Sequence, residues 1–153
     1  MGYGVLETIG NRSRALAYGV LETPKTAPAP ERLLVLYRGL QALCERYQPD
    51  ALATEQVLFQ TNRRTAIAVA RAAGIALLVA AERDIEWCEY TPLQVKQAVT
   101  GYGGADKKQV QTMAQRLLGL ESMPKPDDAA DALAVAICHA HHAALNRLIQ
   151  PKP

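Results

Sequence analysis

The spacing of apolar residues along the chain changes period several times, and each change marks an element. Residues 1–7 and 15–22 read as strands on either side of a polar turn, GNRSR at 10–14. The hexapeptide YGVLET occurs in both, at 3–8 and 18–23. That spacing is too short for a solenoid repeat and suits two similar strands of an antiparallel hairpin. Residues 24–30 carry three prolines and form an extended loop. From 31 to 47, Leu33, Leu36, Tyr37, Leu40, Leu43, Cys44 and Tyr47 recur at helical spacing. Pro49 and Asp50 stop that helix.

The apolar run 51–54 ends in Glu55 and fits a buried parallel strand. A loop at 56–62 leads to an alanine-rich helix at 63–83, and the alternating residues 85–90 form another strand. Thr91 and Pro92 supply a cap and a first-turn proline for a short helix at 93–99. After the glycine-rich turn 100–104, Asp106 caps a helix with Val110, Met113 and Leu117 on one side, stopped by Gly119. Two further prolines precede a long helix at 128–149. A hairpin followed by helices alternating with strands predicts an α/β domain with a mixed sheet and helices on both faces. No linker divides the chain, so a single domain over 1–153 is expected.

Composition narrows the partners. With 153 residues and 49% apolar content, the chain can bury a real core. A net charge of +2 permits nucleic acid as a partner without arguing for it, so local placement of Lys and Arg has to decide. Cys44, Cys88 and Cys138 are far apart, odd in number and without zinc or redox spacing. Free thiols in a reducing cytoplasm are the expected state. No leader and no long apolar run predicts export or a membrane span.

The chemistry centres on the stretch PKPDDAADALAVAICHAHH at 124–142. Asp127 stands where an N-cap belongs. Asp128 and Asp131 share a face that continues through Val135 and Cys138, so both carboxylates are expected to point inward. Unpaired carboxylates are costly there, and a metal ion would remove the cost. The alternative is that acids in a first turn simply complement the helix dipole. Glu55 ends a strand where open α/β sheets place their sites, although a single Glu in a loop is more often solvated. Together the three acids suggest a carboxylate cluster for one or two Mg²⁺ ions of the kind that cleaves phosphodiesters. Arg63, Arg64, Arg71, Lys96, Lys107 and Lys108 flank the adjoining loops. Singly each is an ordinary surface charge; grouped, they would contact phosphates. Tyr102, between glycines, could stack on a base or anchor its loop. Cys138 and His142 have a spacing that can hold zinc, with no further ligand in view.

Three blocks in order carry a family resemblance: TEQ at 54–56; QVKQ at 94–97 with GYG at 101–103 and KKQV at 107–110; and DAADALA at 128–134. On these the chain resembles the RuvC family of bacterial Holliday-junction resolvases over nearly its whole length. The resemblance implies a ribonuclease H-like fold and a homodimer that makes symmetric Mg²⁺-dependent nicks in four-way junctions. It also implies the RuvA–RuvB branch-migration complex as a partner. It assigns metal-ligand roles to Glu55, Asp128 and Asp131 and catalytic support to Lys96 and Lys107. DNA contacts are expected from Phe59, Arg63, Arg64, Lys96, Tyr102, Lys107 and Lys108. Two departures stand out. The family often has an aromatic three residues after the glutamate, where this chain has Leu58, with Phe59 next. The family also begins with a strand ending in Asp-Pro-Gly, whereas this sequence starts at the following strand. The chain is therefore expected to lack the first strand and its catalytic aspartate. The competing expectations are a binding-only relative that has lost catalysis and a different nuclease or transposase-like member of the same fold.

Overall fold

The computed structural model describes residues 1–56 and 63–149, without the side chains of 63–65 and 147–149. The chain forms two compact units: Met1 with residues 21–89, and residues 2–20 with 90–153.

The second unit is built on a hairpin and a long helix. β1 (Gly2–Ile9) pairs antiparallel with β2 (Arg12–Val20), from Gly2 opposite Val20 to Ile9 opposite Arg12. The expected five-residue turn shrinks to Gly10 and Asn11, because Arg12, Ser13 and Arg14 all pair with β1. Gly10 has φ +61°, and glycine at the first central position is what a type II′ hairpin turn demands. The register shifts where Val5 faces Ala17 but Leu6 faces Ala15, which leaves Leu16 as the extra residue of a bulge.

β1 crosses the helix α5 (Asp127–Ile149), and two glycines make the approach possible. A Cβ on Gly2 would collide with the Asp128 carbonyl, and one on Gly4 would lie 2.8 Å from Leu133 Cδ2 and 3.1 Å from Leu133 Cα. Leu133, Ile137 and Cys138 are fully buried on this helix. α3 (Pro92–Thr100) and α4 (Lys107–Leu117) pack on the same helix. Both begin with a capping box, Thr91 with Gln94 and Asp106 with Gln109.

In the first unit, α1 (Ala29–Tyr47) starts two residues earlier than expected, since Pro30 is accommodated in its first turn. β3 (Ala51–Glu55) is followed by α2 (Arg63–Glu82) and β4 (Glu86–Tyr90), and β3 pairs with β4 in a second two-stranded sheet. A crossover helix between paired strands is the βαβ arrangement. Leu40, Cys44, Ala76 and Val79 form the core, with Leu52 and Ile85 packed against them. Met1 joins this unit through two bonds to Leu21: its carbonyl accepts from Leu21 N–H at 2.8 Å, and its amino group donates to the Leu21 carbonyl at 3.0 Å. Among the described residues, no helix is long and apolar enough to cross a membrane.

Candidate active site

The first turns of α4 and α5 bring three charged groups together. Asp106 Oδ1 accepts from Gln109 N–H at 2.8 Å, and Gln109 Oε1 accepts from Asp106 N–H at 2.9 Å. This box fixes where α4 begins, and Lys107 is its first residue. Lys107 Nζ lies 3.1 Å from Asp131 Oδ2 and 3.2 Å from Asp127 Oδ2. Asp127 and Asp131 are one turn apart, so a single ammonium reaches both. The hydrogen bond to Asp131 chiefly holds the Lys107 pKa above its ordinary value; partial desolvation opposes this, and Asp127 adds to it.

This arrangement corrects the sequence reading in two respects. α5 begins at Asp127, so that residue is in the helix and bound to Lys107 rather than standing before the helix as its cap. Asp128 is exposed and Asp131 half-exposed, so the two carboxylates do not point into the core. The buried face of the same turns belongs to Ala129, Ala130 and Leu133. Asp127 is an ion partner that the sequence analysis does not name, and its four-residue spacing from Asp131 is the signal that points to it.

Glu55 is exposed at the end of β3 and belongs to the first unit, whereas Asp128 and Asp131 belong to the second. Next to Glu55 in sequence, Thr54 Oγ1 accepts from Trp87 Nε1 at 3.1 Å, which ties β3 to β4. Among the described residues, no three His, Cys, Asp or Glu side chains converge as a metal cage. The donor chemistry nevertheless fits a hard divalent cation. Asp127, Asp128 and Asp131 offer accessible carboxylate oxygens, and two of them already share a cation in Lys107.

The basic residues are placed as follows. Lys96 is half-buried on α3; Lys108 and Arg71 are exposed. Tyr102 is 67% exposed, and its loop is braced by Thr100, whose Oγ1 donates to the Tyr102 carbonyl at 2.9 Å and accepts from Tyr102 N–H at 3.1 Å. A Cβ on Gly104 would lie 2.5 Å from Tyr102 Cζ, so the glycine gives the ring its place. Phe59 and the side chains of Arg63 and Arg64 lie outside the described residues. The spacing that suggested zinc has another use here: Cys138 is buried, and the His142 ring stacks on Tyr90 at 5.0 Å between centroids. Tyr90 Oη also lies 3.0 Å from His139 Nδ1.

A family model described as crossover junction endodeoxyribonuclease RuvC matches residues 1–139. The chain is 51% identical over 149 residues to the protein of that name from Syntrophomonas wolfei, covering 97% of this chain and 87% of the relative. It is 58% identical over 139 residues to that of Desulforamulus reducens, covering 91% and 85%. Among solved structures, Thermus thermophilus RuvC matches with a TM-score of 0.88 and 35% identity over 95% of this chain and 89% of the other. The same protein in complex with Holliday junction substrate matches at 0.89 and 36%, covering 95% and 88%. These matches support the α/β, ribonuclease H-like class expected from the sequence. The chain belongs to the RuvC family of crossover junction endodeoxyribonucleases.

Proposed function

We propose that this protein is a structure-selective endonuclease that introduces symmetric Mg²⁺-dependent nicks into four-way DNA junctions during recombination and repair in the cytoplasm. The observation that carries this reading is the likeness to a RuvC bound to its Holliday junction substrate, which extends over 95% of the chain. Glu55, Asp128 and Asp131 would hold the metal, with Asp127 next to Asp128 at the start of α5. When bound, Mg²⁺ supplies a polarised phosphate and an activated water. Lys107 and Lys96 would neutralise charge on the phosphate, and Arg63, Arg64, Lys108, Tyr102 and Phe59 would hold the junction strands. Residues 1–153 act as one catalytic domain, and two copies supply the two nicks as a C₂ dimer. The RuvA–RuvB complex would deliver the junction.

The test is a strand-specific nicking assay on a synthetic four-way junction with and without Mg²⁺, beside a linear duplex of the same sequence. Paired symmetric nicks that need both the junction and the metal are expected. Junction binding without any nicking would instead support the binding-only alternative.

A further inference from the structure

α4 and α5 pack together with a cation at each end of α4, but the two cations are treated differently. At the N-terminal end, Lys107 is engaged by Asp127 and Asp131. At the other end, Arg116 lines a cavity of about 350 Å³ with Arg12, Ser13, Ile137 and His141. None of the residues lining it is acidic. Two other arginines of the described chain are neutralised, Arg14 by Glu7 and Arg83 by Glu45. Arg12 and Arg116 have no ion-pair partner among the described residues.

The remaining groups of the cavity suit an anion. His141 Nδ1 lies 3.0 Å from the Ala98 carbonyl, which can only accept, so Nδ1 carries the proton of that bond. The bond orients the ring and leaves Nε2 to meet a ligand, where it donates to a phosphate oxygen only when the ring carries both protons. The carbonyls at the end of α4 would repel an anion if they were open, but three of them are in use. Ala114, Gln115 and Arg116 accept from the N–H groups of Leu118, Leu120 and Gly119. Gly119, at φ +62°, makes this reversal possible.

We propose that Arg12, Arg116 and His141 form a phosphate-binding pocket distinct from the carboxylate turn of α5. Two guanidiniums and one imidazole around a concave opening match the charge and the fork geometry that phosphate oxygens require. Asp131 and His141 are about 15 Å apart along the axis of α5. A phosphodiester in an arm of bound DNA and a free phosphate monoester share this chemistry, and the experiment separates them.

The full-length protein, isotopically labelled, is titrated with inorganic phosphate while the arginine Nε–H and His141 ring signals are followed by NMR. Saturable shifts at Arg12, Arg116 and His141 are expected. The R12Q/R116Q double variant should weaken the response at His141 about tenfold or more, and R12K/R116K should restore part of it. Both arginines are exposed, so the fold should survive either change. Absence of saturation, or an unchanged His141 response in the glutamine variant, overturns the pocket. This part contains no DNA, so its result is independent of the junction-cleaving reading on which the next part rests. Four-way junctions with short and long arms are then bound to both proteins. A loss of affinity confined to long arms in R12Q/R116Q identifies a DNA phosphodiester as the ligand. Equal affinity for both junctions, with the phosphate response lost, identifies a free phosphate.

Discussion

Lys107 Nζ sits 3.1 Å from Asp131 Oδ2, joining the first residue of α4 to the first turns of α5. The pair is half-exposed, with 55% and 47% of the two side chains open to solvent. Solvent screens such a contact, so it is worth less than about 1 kcal/mol of stability. Its greater consequence is that carboxylates suited to a metal are held by an ammonium from the neighbouring helix.

The sign of the pH effect follows from the raised Lys107 pKa. The unfolded chain loses this proton near the usual lysine value of 10.5, and the folded chain loses it later. The stabilisation is therefore fully present below 10.5 and fades as pH rises through the folded value. Thermal unfolding from pH 9 to 12 should show a small alkaline loss in the native protein. That component should be missing in Lys107→Met. An identical alkaline limb in both proteins would remove Lys107 as its source.

Asp131→Asn keeps the shape of the side chain and removes its charge. If Asp131 holds Mg²⁺, nicking of a four-way junction should fall by about a hundredfold or more, with junction binding retained. Undiminished nicking would take Asp131 out of the metal site. The same change leaves Asp127 as the sole acid on Lys107, so thermal stability should change little.

Gly4→Ala tests the contact between β1 and α5. The added methyl meets both the side chain and the Cα of Leu133, which is fully buried and cannot move aside. A destabilisation of about 1–3 kcal/mol is expected. Chemical denaturation would measure it, and Gly74→Ala is the control, because a Cβ there meets nothing within 4 Å.

Much of this architecture was legible because local signals agreed with one another. Thr91-Pro92 and Asp106 announced two helix starts, and both formed capping boxes. The hairpin is legible from its paired strands, but the length of its turn is not. Nothing local to Arg12–Arg14 shows that three polar residues will pair with Ile9, Thr8 and Glu7; that register belongs to the whole hairpin. The orientation of Asp128 and Asp131 is not legible for a similar reason. Helical spacing fixes which residues share a face, but it does not say which face the neighbours cover. Here β1 crosses the carbonyl of Asp128 and the Leu133 side chain, which leaves the carboxylates outside the core. The partnership of Lys107 with Asp127 and Asp131 lay beyond sequence reading because it depends on how α4 packs on α5.

The three cysteines should differ in reactivity. Burial pushes the Cys138 thiol up to about 11, and burial is also the main cause that raises Cys44. Thiolate is the reactive form, so both should resist alkylation near neutral pH. Cys88 is less buried than either. Mass spectrometry after brief iodoacetamide treatment of native protein should find Cys88 modified first, with Cys44 and Cys138 following only in denaturant. Early labelling of Cys138 would contradict its complete burial on α5.

The Lys107 contact also predicts competition between an ammonium and a divalent cation. If Mg²⁺ binds at the first turns of α5 in the native protein, it must share or displace Lys107 at Asp131 Oδ2. Lys107→Met removes the ammonium and leaves Asp127 and Asp131 facing each other across one helical turn. Like charges at that spacing destabilise a helix by about 0.2–0.5 kcal/mol. A cation bound there relieves the repulsion, and more so when no lysine is present. Added Mg²⁺ should therefore raise the melting temperature of Lys107→Met more than that of the native protein, by about 0.5–2 °C for a domain of this size. Lys107→Arg retains the charge and should behave like the native protein. Differential scanning calorimetry with Mg²⁺ and with EDTA would decide. Equal Mg²⁺ responses in all three proteins would mean that the metal binds without meeting Lys107, and the carboxylates it uses would have to be sought away from Asp127 and Asp131.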